Sequence, residues 1–109
     1  MKGNVLIVDD DKAMCELIDT TLTMNGYATT WCQSAGEANE LLHDHEFDVV
    51  VTDVRMPGTT GLQLCQQISS TRPDIPVIVM TAFGTLDTAV ATIRSGAYDF
   101  LTKPVELEL

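Results

Sequence analysis

The sequence predicts an α/β fold: a doubly wound, five-stranded parallel sheet in the order 2-1-3-4-5, with helices on both faces. Three observations carry this. Short apolar runs of strand length recur along the chain, segments with helical apolar spacing separate them, and turn residues mark the junctions. Strands alternating with helices of this length call for right-handed crossovers and hence parallel pairing. For five strands this order puts a switch point between the first and third, where such folds keep their sites.

Val5 to Val8 is a continuous apolar run, as expected of a central strand covered on both faces. Met14, Leu17, Ile18, Thr21 and Leu22 follow at helical spacing, and Asn25-Gly26 supplies a left-handed stop. Tyr27 to Trp31 alternates weakly and reads as an edge strand. Ser34 to Glu37 has the spacing of a capping box, opening a helix whose stripe is Ala38, Leu41 and Leu42.

Val49, Val50 and Val51 form the third strand, and Leu64, Cys65 and Ile68 mark the next helix. Pro73 to Pro76 lead into the fourth strand, Val77 to Met80. Leu86, Ala89, Val90 and Ile93 share one face of a fourth helix that ends at Ser95-Gly96. Asp99 to Thr102, bounded by Gly96 and Pro104, is the fifth strand. Val105 to Leu109 reads as a last helix truncated after its first residues, so residues 1–109 are expected to form a single domain.

Composition narrows the function classes. A chain of 109 residues, 45% hydrophobic, suits one globular core that buries roughly two-thirds of its unfolded surface. Its apolar runs fall far short of the roughly 20 residues that span a bilayer, so no membrane association and a cytoplasmic location are expected. Sixteen acidic against six basic residues give a net charge of −10, which opposes direct nucleic-acid binding by this domain. Cys15, Cys32 and Cys65 are odd in number and widely spaced, fitting small core filler rather than a zinc module or disulfide framework. His43 and His45 flank Asp44 at the polar end of a helical pattern and read as a solvated loop.

Three of the strands end in polar groups that chemistry can use. Val5-Leu6-Ile7-Val8 runs into Asp9, Asp10 and Asp11; Val49-Val50-Val51-Thr52 runs into Asp53 ahead of a Pro57-Gly58 turn; Val77-Ile78-Val79-Met80 runs into Thr81. The strand order brings Asp9, Asp10 and Asp53 into one crevice, an arrangement suited to a single cation. Asp10 or Asp11 alone could instead serve as a helix cap.

These residues, with Met56-Pro57-Gly58 and Gly61 after the third strand, Thr81-Ala82 after the fourth and Lys103-Pro104 after the fifth, resemble the receiver domain of two-component response regulators over nearly the whole chain. The resemblance implies the flavodoxin-like architecture of the chemotaxis receivers. It further implies Mg²⁺ as cofactor, ligated by Asp10 and Asp53, by Asp9 through water, and by the backbone carbonyl of Arg55. Asp53 would be the phosphoacceptor nucleophile, labelled by a sensor histidine kinase, with Lys103 and Thr81 contacting phosphoryl oxygens. Arg55, Ala82 and Phe83 would tune access and the lifetime of the phosphoryl group.

The resemblance also implies a switch. Thr81 would couple to Phe100, which stands where many relatives carry Tyr, and the face made by the fourth helix and fifth strand would change to engage an output module or a second copy. Met80 to Gly84 and Ser95 to Pro104 resemble the receivers of NtrC-like transcription activators, which makes transcription the expected output. Such a domain is not a conventional enzyme: it catalyses its own phosphorylation and dephosphorylation. A phosphatase using an aspartyl phosphate would need an acid where Arg55 stands, and a flavodoxin would not place three acids against a flavin phosphate.

Overall fold

The structure, a computed structural model, describes residues 3–54, 56, 58–81, 96 and 99–102, with the backbone alone for 81 and 99–102. Strands β1 (Asn4–Val8), β2 (Ala28–Cys32), β3 (Val49–Asp53), β4 (Val77–Thr81) and β5 (Asp99–Thr102) form one sheet in the order β2-β1-β3-β4-β5, with every pairing parallel. The helices described are α1 (Lys12–Met24), α2 (Ala35–Asp44) and α3 (Gly61–Thr71). The expected fold class and strand order are therefore observed. The expected fourth and last helices fall outside the described residues.

Alternation along the strands sorts the core into two layers. Leu6, Val8, Val50, Val77 and Val79 pack with Ala38, Leu42, Leu64 and Ile68 of α2 and α3. Val5, Ile7, Val51 and Met80 pack with Cys15, Ile18 and Leu22 of α1. Successive side chains point to opposite faces of a strand, so continuous apolar runs are what a sheet covered on both sides requires.

Local chemistry explains where the helices begin. Asp11 caps α1, its carboxylate accepting from the backbone N–H groups of Ala13 at 3.0 Å and Met14 at 3.4 Å. Ser34 caps α2 by accepting from Glu37 N at 3.2 Å, but the Glu37 carboxylate accepts from Gln33 N at 3.3 Å, one residue before the cap. The reciprocal capping box lies at α3, where Gln63 N donates to Thr60 Oγ1 and Thr60 N donates to Gln63 Oε1.

The end of α1 corrects one boundary. Gly26 takes φ 93°, its N–H donates to the Thr23 carbonyl, and the Tyr27 N–H donates back to Leu22, the paired bonds of a Schellman ending. With Tyr27 used in this way, β2 starts at Ala28 rather than Tyr27. Within α1 the buried seam is Cys15, Ile18 and Leu22, whereas Leu17 is 60% exposed. Cys15, not Leu17, completes the i, i+3, i+7 stripe. His43 and Asp44 form the last turn of α2 and His45 its C-cap, not a loop.

Candidate functional site

Register builds the site. Val8 pairs with Thr52, which puts Asp9, the next residue along, level with Asp53 at the carboxyl end of β3. Asp53 pairs with Met80 and Thr81 with Thr102, so the ends of β1, β3, β4 and β5 line one edge of the sheet. Asp9, Asp10 and Asp53 each offer a carboxylate oxygen, and the three oxygens lie within 4.8 Å of one another. Asp9 is fully buried, Asp53 is 8% exposed, and Asp10 faces solvent.

The backbone holds these acids in place. The Asp9 N–H donates to the Cys32 carbonyl at 3.1 Å, and the Asp9 carbonyl accepts from Cys15 Sγ at 3.2 Å. Asp9 Oδ1 accepts from Asp11 N at 2.9 Å. The Asp10 carbonyl accepts from Gln33 Nε2 at 3.1 Å. Around Asp53, the Thr52 hydroxyl donates to the Asp53 carbonyl at 3.1 Å, Val54 N donates to Met80 O, and Gly61 N donates to Val54 O.

Asp11, third of the run, serves the structure. Its side chain is used at the start of α1, which settles between Asp10 and Asp11 as the cap. All three cysteines are free and buried, as expected of core filler. Burial, reinforced by the charge of Asp9, pushes the Cys15 thiol up to about 12, so it stays a hydrogen-bond donor at neutral pH. Burial likewise pushes the Cys32 thiol up to about 11.

Two like charges about 4 Å apart repel by about 4 kcal/mol at an effective dielectric of about 20. Clustered carboxylates therefore favour a cation. A hard dication takes oxygen donors, and Mg²⁺, with bonds of about 2.0 to 2.1 Å, keeps its ligand oxygens about 3 to 4 Å apart. Three carboxylate oxygens within 4.8 Å need only a small contraction to fit it, and the all-oxygen donor set suits it better than a softer metal.

The model of the response regulator receiver domain matches residues 5–109. The chain belongs to this family. The receiver is 45% identical over 106 residues to the response regulator protein PilR of Pseudomonas aeruginosa, covering 97% of this chain and 24% of that one. It is 41% identical over 108 residues to the response regulator MprA of a Mycobacterium, covering 99% and 47%. It thus spans about a quarter of the first relative's length and about half of the second's.

Solved structures agree on the fold. A response regulator from Chloroflexus aurantiacus superposes with a TM-score of 0.91 at 30% identity, covering 97% of this chain and 88% of that one. A response regulator protein from Burkholderia pseudomallei, described with a phosphorylated aspartic acid, a calcium ion and citrate, superposes at 0.89 with 27% identity, covering 95% and 61%. The architecture is flavodoxin-like, and the chain is the receiver domain of a two-component response regulator. NtrC-like regulators are among its relatives.

Of the residues singled out in the sequence, the structure brings Asp9, Asp10 and Asp53 together. It places the backbones of Thr81 at the end of β4 and of Phe100 in β5. Arg55, Ala82, Phe83 and Lys103 lie outside the described residues. Sequence reasoning missed Gln33, Cys15 and Thr52 as supports of the acids. It took Gly61 only as part of a motif, without the close approach that requires it. Gln33 is a neutral side chain in a loop and leaves no periodic signal, while Cys15 and Thr52 lie within regular elements, and only the assembled sheet shows what each of them reaches.

Proposed function

We propose that residues 1–109 form one phosphoacceptor domain in which Asp53 takes a phosphoryl group from a phosphohistidine of a sensor histidine kinase, in a reaction that requires Mg²⁺. The observation that carries this is the convergence of Asp9, Asp10 and Asp53 oxygens within 4.8 Å. These three side chains, with the backbone carbonyl of Arg55, would hold the ion. Bound there, Mg²⁺ would supply the positive charge that offsets the acids and the incoming phosphoryl group.

An Asp53 carboxylate oxygen attacks phosphorus in line, the P–O bond forms as the P–N bond breaks, and the leaving imidazole keeps its electron pair. Positioning and charge neutralisation supply most of the acceleration in such transfers. Lys103 pairs with one phosphoryl oxygen and the Thr81 hydroxyl with another. Later attack by water on the same phosphorus returns the Asp53 carboxylate and inorganic phosphate. Arg55, Ala82 and Phe83 tune access to Asp53 and set how long the group lasts.

The response passes through Thr81 and Phe100 to the face made by the fourth helix and fifth strand, which binds an output module or a second copy. Transcription is the output, as the names of two relatives, both transcriptional regulatory proteins of Escherichia coli, support. The net charge of −10 leaves DNA contact to another module. Among the described residues no helix is long and apolar enough to cross a membrane. The domain meets the kinase in the cytoplasm.

Incubation with acetyl phosphate, with and without Mg²⁺, followed by intact mass, tests the reading. The wild-type chain should gain one phosphoryl group only with Mg²⁺, and Asp53→Asn should gain none. Equal gains in the two proteins would remove Asp53 as the acceptor.

A further inference from the structure

The three acids are not equally secured. Asp9 and Asp53 are buried within the sheet edge, whereas Asp10 is exposed and lies beyond the last paired residue of β1. Repulsion among gathered carboxylates most easily displaces the member least embedded, and before an ion arrives a bond to its main chain helps hold it. Among the described residues a bond from outside is made by Gln33, its Nε2 donating to the Asp10 carbonyl at 3.1 Å across 23 positions of sequence. Gln33 is anchored in turn. Its backbone N–H donates to Glu37 Oε2 at 3.3 Å, and its neighbour Cys32 accepts the Asp9 N–H at 3.1 Å. Residues 9–10 and 32–33 are thus stitched together twice, once through main chain and once through this amide.

We infer that Gln33 is a positioning residue for the cation site, its side-chain amide holding the Asp10 main chain so that the exposed carboxylate stays beside those of Asp9 and Asp53. This rests on the reading of the acids as a Mg²⁺ site. The chemistry of the residue suits the task. A lysine at the same place would bring its own positive charge and compete with the ion, whereas a neutral amide holds the loop and leaves the negative potential intact. A ligand set arranged in advance does not spend binding energy on ordering the loop.

Mg²⁺ alone is titrated into the wild-type chain and into Gln33→Ala, Gln33→Asn and Asp10→Asn, with binding followed by the amide NMR shifts of Asp10 and Asp11. Urea unfolding of each protein is measured without Mg²⁺. Gln33→Ala should bind Mg²⁺ about two- to tenfold more weakly, the range set by losing one hydrogen bond. Its urea midpoint should stay close to wild type, because the contact is exposed. Gln33→Asn keeps the amide but is one methylene too short, and should follow alanine. Wild-type affinity in either Gln33 variant overturns the assignment, as does a loss of affinity matched by an equal loss of folding stability. A wild-type chain that binds no Mg²⁺, or an Asp10→Asn variant that binds it equally well, overturns the cation-site reading and the role of Gln33 with it.

Discussion

Gly61 and Asp53 touch through their backbones: a Cβ placed on Gly61 would stand 1.8 Å from the Asp53 carbonyl oxygen. That oxygen also accepts from the Thr52 hydroxyl, and the Gly61 N–H donates to Val54 O at 2.9 Å. The first residue of α3 is thus seated against the main chain of the proposed nucleophile, and the contact fixes where the β3 strand end can lie. Gly61→Ala must push α3 away from β3, and such overpacking costs typically about 1 to 3 kcal/mol. Urea denaturation should show a lower midpoint at unchanged slope, together with slower labelling of Asp53. A stability and labelling rate equal to wild type would mean that α3 shifts freely.

Asp11 separates from its two neighbours by function. Its carboxylate is committed to the N–H groups of Ala13 and Met14, so Asp11→Ala should cost about 0.5 to 2 kcal/mol of stability. Its Mg²⁺ affinity should stay near wild type. Asp10→Ala should do the reverse, losing Mg²⁺ affinity while unfolding, without the ion, at a urea concentration no lower than wild type, because one of the mutually repelling charges is gone. Calorimetric titration beside denaturation checks both, and a large loss of Mg²⁺ binding in Asp11→Ala would contradict the division.

The fold was legible because its signals are local. Val5 to Val8 and Val77 to Met80 had to be covered strands, since nothing polar interrupts them, and Asn25-Gly26 marked the end of α1 through the one residue type that takes φ 93° without strain. The acids could be read because each follows an apolar run and strand order alone gathers them. Leu17 was misplaced because apolar character at helical spacing does not tell which edge of the stripe meets the sheet. The capping box was expected at Ser34 on spacing, yet Glu37 reaches Gln33, whereas the Thr60-x-x-Gln63 spacing that does form the box went unread. Gln33 and the Gly61 contact depend on segments that meet only once the sheet is assembled.

The buried cysteines give the domain an alkaline limit. An ordinary thiol ionises near 9.0, while burial and the neighbouring Asp9 push Cys15 up to about 12. Between these values the unfolded chain has released a proton that the folded chain retains. Unfolding is therefore favoured as pH rises, by about 1.4 kcal/mol per pH unit for each such thiol. The stabilising contribution is complete below pH 9 and lost as pH approaches 12. Cys15→Ser should be less stable at pH 7 but should lose stability less steeply between pH 9 and 11 than wild type. Urea midpoints across that range would show it, and identical slopes would contradict it.

The convergence of Asp9, Asp10 and Asp53 on one ion is tested most directly by anomalous diffraction from crystals soaked in Mn²⁺, which shares the oxygen-ligand preference of Mg²⁺. A single strong peak should lie within direct bonding distance of the Asp10 and Asp53 carboxylates, and should vanish when Mg²⁺ is added in excess. A peak held by other residues, or none beside these three acids, would contradict it.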